Sequence, residues 1–339
     1  MDNKNSLHTN SKDVRQLKIG DKNYKKRIDL YLADKFPEFS RGQIQKGIDS
    51  GLVLLNKNRP KSSVRLKAGD EILFEKIKLF KLIKPKKIEG EDLPLKILFE
   101  DKNILAIDKP AGMVVHPAVG NQNQTLLNAV LNYDKKISKA FDKNYPTSEL
   151  RPGIVHRLDK DTSGVILIAK NSETLKYLVS EFKNKRIKKT YLALVLGFLP
   201  KKGKIENYLS KDFRKRKTTI NTEEKGKIAI SIFRSIKYFY AEKNLYNFTL
   251  AEIEIITGRT HQIRVQMKDL GYPIIGDQIY KTKMSLSASK FIGVKRQLLH
   301  AKEVKFHLPK SNKITSISSG LTFDFDKVVG KLKTIDHIS

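Results

Sequence analysis

At 339 residues the chain is long enough for a sizeable core and two domains. Lysine plus arginine total 67 against 36 acidic residues, a formal net charge of +31, which fits a polyanion as partner and binding that weakens steeply with salt. The chain has no cysteine, which excludes thiolate catalysis, thiolate metal sites and disulfides. No apolar run approaches the roughly 18 residues of a membrane span, and the polar opening MDNKNSLHTNSKDVRQ does not read as a signal peptide; a cytoplasmic protein without membrane contact is expected.

Residues 1–23 are polar and aperiodic and are expected to form a disordered tail. A compact unit follows over residues 24–76. Ile28, Tyr31, Leu32 and Phe36 make a helical stripe that Pro37 ends. Ser40 and Gln43 form a capping-box pattern before a second helix over 41–49, and Gly51 suits its stop. Short strands are expected at 53–55 and 72–74, with turns at 56–58 and 68–70. Two short helices, small strands and VLLNKNRPKSS in this place resemble the S-four RNA-binding domain. The resemblance puts an RNA face on the second helix, with Arg41, Gln43, Gln45 and Lys46, and on Lys57 and Arg59 nearby.

Residues 77–92 read as a linker that turns from basic to acidic. Strands are expected at 97–99 and 104–107, joined by a turn at 101–103, and Lys109-Pro110-Ala111-Gly112 makes a rigid turn. His116 has no second histidine at helical spacing and reads as a satisfied structural residue. Residues 125–131 suit a short helix, and 132–150 a lysine-rich surface loop. Asn171 caps a helix with the stripe Leu175, Leu178, Val179 and Phe182. A strand at 191–196 follows, then KDFRKRK (211–217), the densest basic cluster, in which Arg214 and Arg216 suit phosphate contacts. Long antiparallel strands are expected at 228–240 and 245–256. Thr260 is placed as the cap of a helix whose Ile263, Met267 and Leu270 face inward and which Gly271 stops. Residues 281–296 read as a mobile serine-rich loop and 298–308 as the last strand, with the tail fading after about Val329.

The stretch RPGIVHRLDKDTSGVILIAK (151–170) stands apart. Two β-branched apolar runs, 153–155 and 165–169, suit buried strands and enclose a turn holding a histidine, an arginine, two aspartates, a threonine and a serine. On composition alone a solvated hairpin and a site are both open. HRLDKDTSG resembles the signature of the RluA-type pseudouridine synthases, and LAIDKPAGMVVHP (105–117), KKTYLALVLG (188–197) and TGRTHQIRVQM (257–267) resemble the family's other motifs in the family's order.

That resemblance implies an α+β catalytic domain over 93–330, with a mixed, mostly antiparallel sheet and flanking helices, preceded by the S-four-like domain. It implies isomerisation of specific uridines to pseudouridine in RNA, which consumes no cofactor and needs no metal. No G-x-x-x-x-G-K-[ST], no G-x-G-x-x-G before a helix and no H-E-x-x-H motif is present. The family pattern places the catalytic carboxylate on Asp159. It can attack C1′ or take a proton from C2′, and the sequence does not choose between these routes. Asp161 is the competing carboxylate, and a two-carboxylate glycosidase is the alternative for the pair; the chain has no tryptophan to support sugar binding. The resemblance makes Arg264 the bidentate partner of the catalytic aspartate. It makes Tyr191 the ring that stacks on the flipped uracil, and Arg157 the residue that fills the gap the base leaves. His156 and Thr162 are expected to brace the loop. MVVHPAVGN and the preceding module look most like enzymes acting on large-subunit ribosomal RNA, the D type especially, as monomers on RNA or an assembling subunit. The alternatives are a transfer RNA pseudouridine synthase and a non-catalytic RNA-binding ribosome-assembly factor.

Overall fold

In the computed structural model Ser40 opens a helix as its sequence demands: its side chain accepts from Gln43 N–H, and the Gln43 side chain accepts from Ser40 N–H. The structure describes residues 14–21, 25–37, 39–83, 88–117, 120–142, 151–212, 217–241, 245–311 and 313–335. It divides into two units, Met1–Ile88 and Glu89–Ser339.

The first unit runs β1 (Val14–Lys18), α1 (Ile28–Lys35), α2 (Arg41–Asp49), β2 (Val53–Leu55), β3 (Glu71–Glu75) and α3 (Lys76–Ile83). Its antiparallel sheet has the order β1-β3-β2. Two segments of this unit differ from expectation. The expected disordered tail contains β1, because Val14 to Lys18 pair residue for residue with Glu75 to Glu71. The expected linker begins with a helix, because Leu79 packs fully buried into the core formed by Ile28, Leu32, Ile44 and Phe74. A Cβ on Gly47 would come within 3.0 Å of Leu79, so a glycine lets α2 and α3 approach.

The first turn of α1 carries Asp29, whose side chain is wholly buried and turned toward α2. It accepts from Arg27 through both oxygens, from Arg41 Nε at 3.0 Å and from Gln45 Nε2 at 2.8 Å. Burial alone would raise its pKa; the hydrogen bonds from Arg27, Gln45 and Arg41 outweigh that and lower it to about 2. A depressed carboxylate stabilises the fold fully above its unfolded value, about 3.9, and the contribution disappears as pH falls toward 2. Acid titration followed by circular dichroism should therefore show Asp29→Asn losing part of the wild-type stability at neutral pH. The variant should also show a shallower dependence between about pH 4 and 2. Parallel acid limbs in the two proteins would contradict this account.

The second unit is built on one large sheet. Its strands are β4 (Ile97–Glu100), β5 (Ile104–Lys109), β6 (Ser163–Ala169), β7 (Lys188–Leu196), β8 (Lys202–Asp212), β9 (Lys217–Asn221), β10 (Lys227–Tyr240), β11 (Asn247–Ile255), β12 (Leu299–His307), β13 (Ile314–Ser318) and β14 (Lys333–Ile335). Its helices are α4 (Leu126–Tyr133), α5 (Ser172–Lys183), α6 (Gln262–Asp269), α7 (Lys283–Phe291) and α8 (Phe323–Lys331). Among the described residues the order is β4-β5-β6-β12-β7-β11-β10-β8-β9, with β13 on β12 and β14 on β10. Every pairing is antiparallel except β6 with β12. This is the mixed, mostly antiparallel α+β architecture expected.

The buried strands explain the centre. All seven residues of β6 are buried, as are the last six of β7, which matches their near-continuous apolar sequence. At the β6–β12 crossing Gly164 has φ +110, and a Cβ there would sit 2.2 Å from the Ala301 carbonyl oxygen. Glycine is therefore required where the loop carrying Asp159 enters the sheet.

Other segments differ from expectation. Residues 153–155 make only an isolated bridge, Ile154 to Ile168, because Gly153 at φ +73 turns the chain there. Within the expected loop 132–150, Lys135–Lys139 form a 3-10 helix that buries Ile137; residues 143–150 lie outside the described residues. The expected mobile loop 281–296 contains α7, opened by a reciprocal cap between Thr282 and Ser285 and packed through Ala288. Strand β12 is not the last element: β13, α8 and β14 follow, with Phe325 of α8 fully buried. Val179 and Leu270, expected inside, are exposed.

Candidate active site

The loop between Ile154 and β6 is held from behind by captured carbonyls. Lys109, with no exposed surface, donates from Nζ to the carbonyls of Pro110, Met113 and Lys160 at 2.7, 2.9 and 3.0 Å. Gly112 N–H also donates to Lys160 O, and Arg296 donates to Asp161 O. Burial lowers the Lys109 pKa to about 7, while the charges of Asp161 and Asp159 raise it. His156 Nε2 accepts from Leu167 N–H at 2.9 Å, and Thr162 Oγ1 accepts from Gln297. Both residues brace the loop as expected.

This scaffold sets Asp159 on the wall of a cavity of about 590 Å³ that Tyr191, Arg157, His261 and Arg264 also line. Asp161 is not among its lining residues. Tyr191 is buried on β7, between Ile253 of β11 and Ala301 of β12. Its pKa is raised by burial first and by the Asp159 charge second, so the phenol stays protonated at neutral pH.

Arg264 is in the first turn of α6. This helix is not capped by Thr260: His261 is its N-cap, at φ 54 and with no side-chain cap. Glutamines do the fixing instead. Gln262 accepts from Thr257 Oγ1 and Arg259 N–H and donates to Ile230 O, while Gln266 donates to Ala229 O. They satisfy buried polar groups of β10 that a side-chain cap could not reach.

The arginine fork is used differently from the sequence expectation. Arg264 Nε and Nη2 clasp Asp277 at 2.7 and 2.9 Å, and Nη1 alone donates to Asp159 Oδ2 at 2.9 Å. The Asp277 side chain is fully buried, whereas that of Asp159 is 21% exposed. Asp277 also accepts from Ile279 N–H and Tyr280 N–H. Burial opposes its charge, but Arg264 and these amides hold its pKa below the usual range. Burial likewise opposes the Arg264 charge; Asp277 and then Asp159 outweigh it and raise its pKa. The Arg264 guanidinium also lies 5.3 Å from the Tyr280 ring centre.

Asp159, Tyr191, Arg264 and Arg157 are thus brought together around one cavity, from separated motifs. Arg41, Lys46 and Lys57 are exposed on the first unit, with Arg41 anchored to buried Asp29. Arg214 and Arg216 lie outside the described residues. His116 is buried but not satisfied: its Nδ1 has no partner among the described residues. Burial, then Arg151 and Arg157, lower its pKa to about 4. Sequence reasoning missed Asp277, His261 and Tyr280. The available signal was one charge set in the apolar run PIIGDQIY, since a carboxylate among buried neighbours needs a partner. Among the described residues, no cluster of histidine, aspartate and glutamate could hold a metal ion, and no helix is long and apolar enough to cross a membrane.

Residues 103–269 match the RNA pseudouridylate synthase family model, and residues 26–72 match the S4 domain. An uncharacterised RNA pseudouridine synthase of Chlorobaculum parvum is 38% identical over 91% of this chain and 94% of its own length. A ribosomal large subunit pseudouridine synthase D of Xanthomonas campestris is 33% identical over 94% of this chain and 93% of its own. Among solved structures, human RNA pseudouridylate synthase domain containing 1 superposes with a TM-score of 0.56 at 20% identity, covering 74% of this chain and 92% of its own, a likeness of fold. With identities of this size running almost end to end, and an aspartate, a tyrosine and an arginine gathered at one cavity, the chain belongs to the RNA pseudouridine synthase family, enzymes that isomerise uridines in RNA.

Proposed function

We propose that the protein converts specific uridines of large-subunit ribosomal RNA to pseudouridine, with Asp159 as the reacting carboxylate. One observation carries this assignment. Arg264 holds Oδ2 of Asp159, and the carboxylate stands partly exposed on the cavity wall that Tyr191 also lines. In the reaction the C1′–N1 bond breaks, the uracil turns, a C1′–C5 bond forms, C5 loses its proton and N1 gains one, so atoms and charge balance. A protonated Tyr191 suits stacking on the uracil better than service as a phenolate base. Arg157 is exposed and lines the cavity, which supports a role in occupying the stack after the base leaves. The exposed Arg41, Lys46 and Lys57 suit phosphate contacts that add affinity without reading sequence.

The ribosomal substrate is supported by the names of the relatives, several of which are large-subunit pseudouridine synthases D. Carbodiimide mapping of pseudouridine in ribosomal and transfer RNA, with and without the gene, tests it. Loss of signal at uridines of the large-subunit RNA is expected. Loss confined to transfer RNA would move the substrate, and an unchanged map would favour a non-catalytic assembly factor.

A further inference from the structure

Beside the reacting carboxylate stands a side chain with no part in that scheme. His261 lines the same cavity, and its Nε2 lies 3.8 Å from Asp159 Oδ1, the oxygen that Arg264 does not take. This separation is too long for a hydrogen bond and leaves room for one oxygen atom to touch both groups. The imidazole is held in place from behind. Its backbone is in the left-handed region, φ 54, uncommon for a residue with a Cβ. Its Nδ1 is 2.9 Å from Tyr280 Oη, and the two rings meet edge to face.

Two neighbours decide where the ring hydrogen sits. Tyr280 Oη already accepts from Thr218 N–H at 2.9 Å, which favours its own hydrogen pointing at His261 Nδ1. A negative Oδ1 opposite Nε2 favours N–H there over a lone pair. Burial first, then Arg264 and Arg157, keep the ring neutral against the pull of Asp159 and Asp277. His261 is thereby a fixed, neutral donor facing the carboxylate oxygen that Arg264 leaves free.

The reaction supplies the acceptor. A carboxylate attacking C1′ approaches the ribose face opposite the base, and in a ribonucleoside that face carries the 2′-hydroxyl. If the carboxylate instead takes the C2′ proton, the hydroxyl is on the same carbon. The ring oxygen O4′ is a poor acceptor in either case, because it shares the positive charge that develops as the glycosidic bond breaks. Resting on Asp159 as the reacting group, we propose that His261 is a substrate-binding residue: its Nε2–H donates to the 2′-oxygen of the target nucleotide and selects ribose over deoxyribose there.

A double-mutant cycle between enzyme and substrate tests this. Tritium release from C5-labelled uridine is followed in a synthetic hairpin spanning a mapped target, with either uridine or 2′-deoxyuridine at that one position. Wild type and His261→Ala are compared. Removing the 2′-hydroxyl should reduce wild-type kcat/KM at least about tenfold more than it reduces that of the variant, since a lost hydrogen bond is counted once. His261→Gln, which can present an amide N–H at similar reach, should recover part of the discrimination. Equal deoxy penalties in wild type and both variants, with folding intact by circular dichroism, would overturn the role of His261 and leave the enzyme reading standing. Absence of release by wild type from the all-ribose hairpin would instead strike the reading on which it rests.

Discussion

Asp159→Ala should abolish tritium release from C5-labelled uridine in RNA, by at least about 10⁴-fold, while RNA affinity stays within a few-fold. The size of the effect follows from position. Asp159 alone of the two loop aspartates lines the cavity, with one oxygen bound by Arg264. No neighbour can replace it, because Asp277 is sealed by Arg264 and two backbone amides, with no exposed side-chain surface. Affinity should survive because Asp159 carries the wrong charge for phosphate and fills a small part of a strongly cationic protein. Filter binding beside single-turnover kinetics separates the two quantities. A variant that still released tritium would show that another group does the chemistry.

Arg264→Lys should lower kcat by on the order of 100-fold and leave RNA binding nearly unchanged, although formal charge is conserved. The guanidinium spends two nitrogens on Asp277 and one on Asp159. A lysine is a single point that cannot span both carboxylates, so Asp159 loses its anchor or Asp277 is left buried without its partner. The second outcome also costs stability, so thermal unfolding is measured together with turnover. Equal losses of binding and turnover would mark Arg264 as a phosphate contact and not as the holder of the reacting group.

Many of the elements are legible in short stretches of the amino-acid sequence. The Ser40–Gln43 cap, the Asn171 cap, the antiparallel pair at residues 228–240 and 245–256, and the turn at Gly112 are local properties. Side-chain length, β-branching and backbone freedom act there over a few residues. The failures have a common form. Lys76–Ile83 read as a basic linker because its lysines hide the periodicity that puts Leu79 into the core. Residues 281–296 read as a mobile loop because serines are polar, yet Ala288 packs into the core and the Ser289 hydroxyl accepts from Gly276 N–H. Thr260 looked like a cap, while glutamines four residues apart fix α6 to β10. In each case the deciding partner lies elsewhere in the chain.

Residue order alone carries the family, the α+β class, the cationic character and the three residues Asp159, Tyr191 and Arg264, because motif order and local periodicity survive without a partner in space. Packing in three dimensions determines which carboxylate Arg264 grips with its fork, that Asp277 shields the arginine from behind, and that His261 faces the remaining oxygen of Asp159. Those contacts join residues 105 positions apart in one case and 13 in another. Their strength depends on burial and direction, which a linear order of residues does not carry until the sheet brings the loops together.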